Sequence, residues 1–170
     1  TARHLARAMA YDDIYRVADL KTRPQRAARV ARDVAINPAR QVLQTTEFFH
    51  PRMEEICSAL PTRLGLAIET RRWLFDALDR IVNRGRRIRT DSVWGYWQLH
   101  VLAARVPKRR GTLRHGREMT HVRSWLSRVV EAAPLNYDLA VEIARARRLI
   151  KGYSDTMSRG LSKYDRVMAG

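Results

Sequence analysis

Val93-Trp94-Gly95-Tyr96-Trp97-Gln98-Leu99-His100-Val101-Leu102-Ala103 lies within an uncharged run from Ser92 to Ala104, in a chain where 29% of residues are charged. Its apolar side chains recur on nearly every face of a helix, and a helix that is apolar all round belongs in a core. Thr90-Asp91-Ser92 supplies N-cap chemistry before the run and Pro107 stops it. Eleven residues of helix are too few to cross a bilayer. The run therefore predicts a helix buried at the centre of a bundle, with both ends emerging into basic loops.

Those loops hold most of the charge. The chain has 33 Lys+Arg against 17 Asp+Glu, a net of +16 over 170 residues, and only Lys21, Lys108, Lys151 and Lys163 are lysines. Residues 84–117 carry ten basic side chains and one acid, Asp91, for +9 of that excess. One cluster is Arg84, Arg86, Arg87 and Arg89; the other is Arg105, Lys108, Arg109, Arg110, Arg114 and Arg117. Three readings of them are open: nucleic-acid binding, contact with an acidic partner or ligand, and plain solvated surface. A reader of duplex grooves needs a polar recognition helix, and the helix between these clusters is apolar. Trp94, Tyr96, Trp97 and the later Trp125 are compatible with a base-stacking platform. Their helical spacing favours core packing.

Outward from the run, helical periodicity dominates. Leu5 to about Asn37 reads as helix broken near Thr22-Arg23 by Pro24. Residues 38–50 read as a packed extended segment, and Arg52 to Leu60 as a short helix. Pro61-Thr62 opens a longer helix to Asn83 with Leu64, Ile68, Leu74, Phe75, Leu78, Ile81 and Val82 in phase. Arg114 to Ala132 has Val122, Trp125, Leu126, Val129 and Val130 on one face. Asn136 to about Lys151 and Ser154 to Met168 complete the set, with Ser154 as a cap and Asp155 in the first turn. The expected fold is all-α, a bundle of about six or seven helices with no significant sheet, over a single domain 1–170.

Searches for chemistry return little. The lone Cys57 excludes an internal disulfide, a paired-cysteine metal site and a cysteine-held iron–sulfur cluster, and reads as a small core residue. No phosphate-cradling glycine loop is present. The histidines His4, His50, His100, His115 and His121 form no metal motif. Asp12-Asp13 and Glu54-Glu55 are adjacent pairs that diverge around a helix, which suits helix starts and ion pairs with arginines. No catalytic, cofactor-binding or metal residue is assigned. The absence of a membrane span or apolar leader points to the cytoplasm. The start at Thr1, already periodic by Leu5, predicts a piece of a longer subunit.

Three motifs carry a resemblance: Met9-Ala10-Tyr11-Asp12-Asp13 through Arg16-Val17-Ala18-Asp19-Leu20-Lys21-Thr22-Arg23; Thr46-Glu47-Phe48-Phe49-His50-Pro51-Arg52 with Glu54-Glu55-Ile56-Cys57; and Arg147-Arg148-Leu149-Ile150-Lys151-Gly152-Tyr153-Ser154-Asp155-Thr156 with Arg159-Gly160. The last looks like the closing motif of the bacterial indolepyruvate oxidoreductase subunit beta family, with Ser154 where that family usually has Gly. Order and spacing suit the C-terminal region of that subunit.

The resemblance implies a non-catalytic helical domain inside a 2-oxoacid:ferredoxin oxidoreductase, an enzyme that makes aryl-acyl-CoA from aryl 2-oxoacids such as indolepyruvate. It implies that thiamine diphosphate, Mg²⁺ and 4Fe-4S clusters belong to the partner large subunit, with coenzyme A as co-substrate. The implied partners are that thiamine-binding subunit and a gamma-type α/β domain preceding this segment. Under it, Arg84, Arg86, Arg87, Arg89, Lys108, Arg109, Arg110 and Arg114 face an acidic partner or, less directly, coenzyme A phosphates. Lys151, Gly152, Tyr153, Asp155, Thr156, Arg159 and Gly160 mark the family without an assigned role. The alternative is an arginine-rich helical nucleic-acid-binding module.

Overall fold

The structure, a computed structural model, describes residues 1–11, 13–37, 40–50, 52–151 and 154–169, with Ser154 and Asp155 described for their backbone alone. In chain order the elements are α1 Ala2–Met9, α2 Ile14–Thr22, α3 Pro24–Asp33, β1 Thr46–Phe49, α4 Met53–Ala59, α5 Thr62–Glu69 and α6 Arg72–Val82. Then follow β2 Arg86–Arg89, α7 Val93–Ala103, a 3₁₀ segment Val106–Gly111, α8 Leu113–Ala132, α9 Tyr137–Ala146, a 3₁₀ turn Arg147–Leu149 and α10 Ser154–Ala169. The chain is mostly helical, as its periodicity predicts. Among the described residues, ten α-helices replace the expected six or seven, and one small antiparallel sheet stands where none was expected.

Local chemistry explains the extra breaks. The stretch from Leu5 to about Asn37, expected to break at Pro24, breaks there and once more at Asp13. Asp13 leaves the helical region and its carboxylate accepts from the Arg16 backbone N–H at 2.8 Å, capping a new start. Arg23, held extended before Pro24, separates α2 from α3. The expected helix over 61–83 divides at Thr70-Arg71. There the Thr70 hydroxyl donates back to the Leu66 carbonyl at 2.8 Å, and Arg71 adopts non-helical angles.

The chain divides into two compact units, Asp12–Gly116 and Thr1–Tyr11 with Arg117–Gly170. In the first, α4 and α5 meet at Gly65. A Cβ there would fall on the Cys57 carbonyl oxygen, so only glycine permits the approach. Cys57 is fully buried, as its reading as a core residue expects. The Tyr15 hydroxyl donates to the Ala59 carbonyl at 2.9 Å and ties α2 to the end of α4.

The sheet is a ribbon in which Thr46 pairs with Arg89, Glu47 with Ile88, Phe48 with Arg87 and Phe49 with Arg86. Two four-residue strands are marginal alone. Beyond the ladder, the Thr90 N–H donates to the Thr45 carbonyl at 2.9 Å, and the two threonine hydroxyls lie 2.5 Å apart. Glu47 anchors the ribbon through Lys21 of α2 at 2.5 Å and through Arg26 of α3.

The decisive run forms its helix, capped by Ser92, whose hydroxyl accepts from the Gly95 N–H at 3.1 Å. Its placement departs from expectation. α7 packs on α2 and buries Gly95 and Leu99, while Val93 is 90%, Trp94 66% and Trp97 52% exposed. It is a one-sided helix instead of a central one. Nor do its ends open into loops: β2 precedes it and the 3₁₀ segment follows it.

The second unit is built on Trp125 of α8, fully buried against Ala144 and Ala146 at the end of α9 and Tyr164 of α10. The small alanines let α9 approach the indole, whose N–H donates to the Ile143 carbonyl at 3.0 Å. A buried Trp of this kind costs about 3–5 kcal/mol to truncate. Asn136 caps α9 by accepting from the Leu139 N–H at 3.0 Å. The proposed Ser154 cap and Asp155 first-turn charge lie outside the described side chains.

Candidate functional site

The first arginine cluster is a strand and its approach. Arg84, Arg86, Arg87 and Arg89 are all exposed. Side chains alternate along β2, so Arg87 and Arg89 share one face of the ribbon with Thr46 and Phe48, and Arg86 lies on the other. The Arg87 guanidinium carbon sits 5.2 Å from the Phe48 ring centroid, a cation–π contact at the surface, with Phe48 74% exposed. Arg89 donates to Asp91 at 2.6 Å. That bond holds the Asp91 carboxyl below its usual range and the guanidinium above its own.

The second cluster does not join the first. The eleven residues of α7 separate them by about 16 Å along the helix axis. Nor does it act as one patch. Lys108 and Arg110 are exposed, while Arg109 turns inward to Asp13, Nε to Oδ2 at 2.6 Å. Arg114 is half-buried on α8 and engaged within the fold. The sequence treats these cations alike; the fold assigns Arg109 and Arg114 to itself.

The closing motif separates in the same way. Lys151, Thr156 and Arg159 are exposed. Gly152 and Tyr153 lie outside the described residues, and the side chain of Asp155 is not among those described. Gly160 is buried where α10 crosses the turn after α9: a Cβ there would stand 2.7 Å from the Leu149 carbonyl oxygen and 3.3 Å from the Ile150 Cα. Its place in the motif has a packing cause. Arg147 opens the motif and is itself buried. One terminal nitrogen is 3.7 Å from buried Glu118, and the other meets Nδ1 of His121. The Tyr164 ring lies 4.9 Å from the imidazole. Burial, and then the Arg147 charge, hold His121 below its ordinary value, while burial raises the Tyr164 hydroxyl. Sequence reasoning missed this quartet because its members stand on three separate elements.

The feature most altered by the structure is the aromatic group. Trp125 is core, but Trp94 and Trp97 are stacked on the exposed side of α7, centroids 5.0 Å apart at 16°. Tyr96 stacks with His100 at 5.8 Å. Beside these rings a shallow depression of about 440 Å³ is lined by Thr90, Asp91, Ser92, Val93, Tyr96, Trp97 and His100. Gly95 is buried on the opposite side, where a Cβ would collide with the Arg89 carbonyl oxygen. Glycine thus seats the first turn of α7 on the end of β2, and the aromatic face begins where the basic strand stops.

A family model matches residues 1–170. The chain belongs to the DUF6537 family. That family is one of unknown function. No curated protein and no solved structure matches the chain. In this DUF6537 chain, no group of three or more His, Cys, Asp or Glu side chains among the described residues is placed to hold a metal ion. No helix among them is long and apolar enough to cross a membrane. What the ribbon and α7 present is recognition chemistry: guanidinium donors beside exposed rings.

Proposed function

We propose that this chain is a non-catalytic helical domain of the beta subunit of a cytoplasmic 2-oxoacid (indolepyruvate):ferredoxin oxidoreductase, and that it supports assembly with the thiamine-binding large subunit. On this reading thiamine diphosphate, Mg²⁺ and 4Fe-4S clusters sit in that partner, coenzyme A is a co-substrate of the complex, and a gamma-type domain precedes this segment in the subunit. One observation carries it. The motif residues that prompted the resemblance hold the fold together: Asp13 with Arg109, Lys21 with Glu47, Arg147 with Glu118. Among the exposed cations are Arg86, Arg87 and Arg89 on the ribbon and Lys108 and Arg110 on the 3₁₀ segment, where a partner's carboxylates can reach them.

The test is co-purification of the full beta subunit with the large subunit, with and without residues 1–170. Loss of the complex on deletion is the expected result. Unchanged assembly and turnover would refute the reading.

A second reading is a nucleic-acid-binding module, and the specific observation behind it is the exposed Trp94–Trp97 stack on the helix that follows the arginine-bearing strand β2. It requires affinity for single strands that falls steeply with salt as counterions are released. A flat salt response eliminates it.

A further inference from the structure

We infer that the open face of α7, together with the ribbon face that carries Arg87 and Arg89, seats an acidic polypeptide segment of a partner protein that anchors an apolar side chain against Val93, Tyr96 and Trp97. This rests on the assembly reading above and names the surface and the partner chemistry that the reading leaves open.

The argument begins with periodicity. α7 has no charged residue, and the arc opposite buried Gly95 and Leu99 carries Val93, Trp94, Tyr96, Trp97 and Val101, with exposed His100 among them. A soluble helix turns such a face to a core, yet all five of the apolar side chains are more than a third exposed. A contiguous apolar patch rimmed by charge marks an interaction surface. Its composition is that of an interface centre, where Trp, Tyr and Arg supply most of the energy. The depression of about 440 Å³ accepts one branched or aromatic side chain.

The charge sets the rest of the partner's chemistry. Arg84 precedes the ribbon, Arg87 and Arg89 share one face of it, and Asp91, the one acid within 84–117 and part of the depression's lining, is already engaged by Arg89. Carboxylates beside the apolar anchor complement this rim and speed encounter. The lining favours a polypeptide over a nucleic acid. Trp94 stacks on Trp97 and Tyr96 on His100, so each pair offers only its outer faces to a base. The depression itself is lined by Val93 as well as rings and holds the Asp91 carboxylate, which suits an apolar side chain and repels a phosphate.

The experiment uses the full-length beta subunit and the thiamine-binding large subunit, with affinity measured by calorimetry at low and high salt. Trp94→Ala/Trp97→Ala should weaken binding by roughly tenfold or more at both salts, since truncated interface tryptophans are costly. Arg84→Glu/Arg87→Glu should weaken it chiefly at low salt, the difference narrowing as salt screens the rim. Circular dichroism must show wild-type helix content in both, as expected for exposed positions, and Val130→Ala on α8 serves as a neutral control. If the tryptophan variant binds like wild type while deletion of residues 1–170 abolishes the complex, this inference fails and the assembly reading stands. If deletion is harmless, the assembly reading fails and the inference with it. Tight, salt-steep binding of oligodeoxythymidine by the wild-type subunit, lost in the tryptophan variant, would identify a nucleic-acid occupant and overturn the inference.

Discussion

Arg109 and Asp13, 96 residues apart, form an ion pair of 2.6 Å with side chains only 18% and 5% exposed. The same carboxylate caps α2 through its other oxygen, which accepts from the Arg16 N–H at 2.8 Å. One side chain therefore starts a helix and ties it to the 3₁₀ segment that follows α7. Removing one partner leaves the other charge poorly solvated, so Asp13→Ala or Arg109→Ala should cost about 3 kcal/mol in urea unfolding. The double variant should lose less than the sum. Exposed Arg110→Glu should change stability by no more than about 0.5 kcal/mol. Strictly additive losses at 13 and 109 would contradict the pair.

Glycine substitutions test how α7 meets the ribbon. Gly95→Ala drives a methyl into the Arg89 carbonyl, and overpacking against backbone should cost about 1–3 kcal/mol. Gly116→Ala is the contrast. It lies inside α8 with open space around its Cβ, and there alanine should stabilise by about 0.5–1 kcal/mol through helix propensity. Thermal unfolding should thus move in opposite directions for the two. Equal melting temperatures would mean that α7 does not sit on β2 as described.

Glu47 accepts from Lys21 and Arg26 with its side chain 13% exposed. Glu47→Gln leaves two cations facing each other with a weaker acceptor, and should cost about 1–2 kcal/mol. The exposed Arg72–Asp76 pair at 3.9 Å sets the scale for a bridge of little value, and Asp76→Asn should fall within about 0.5 kcal/mol. Denaturation midpoints of the two variants decide it. A neutral Glu47→Gln would show that the ribbon is held by its ladder alone.

The mostly helical character was legible because apolar spacing at 3.6 residues is a local property, and so was the N-cap chemistry of Thr90-Asp91-Ser92. Breaks were less so. Asp13 reads as one of an acidic pair until Arg109 arrives from far along the chain. β2 was invisible for a related reason: Arg86-Arg87-Ile88-Arg89 has no strand periodicity of its own and pairs because Thr46 to Phe49 offers a partner. α7 misled more deeply. Its apolar character on every face states that it is covered, and covering within this chain is the simplest reading of a sequence taken alone. The fold covers one side only, and the candidate site is the difference between what α7's composition demands and what the chain supplies. Gly160 and Arg147 carry the same lesson, since a motif can persist for packing that no spacing rule exposes.

His121 offers a test by pH. Its imidazole is partly buried, Nδ1 faces Arg147, Tyr164 lies against the ring, and Glu118 stands behind the guanidinium. Burial and then Arg147 lower its pKa below the ordinary 6.5, with Asp165 opposing. The fold thus favours the neutral ring, whose Nδ1 accepts from Arg147. Above about pH 6.5 it is neutral in folded and unfolded chains alike, and it contributes no pH dependence. As pH falls through that value the unfolded chain takes up the proton first, so stability declines until the lower folded-state value is passed. His121→Gln keeps an acceptor for Arg147 but cannot titrate. Urea unfolding between about pH 7 and about pH 5 should show a wild-type loss that this variant lacks. Parallel curves would mean that the Arg147 contact does not hold the imidazole neutral.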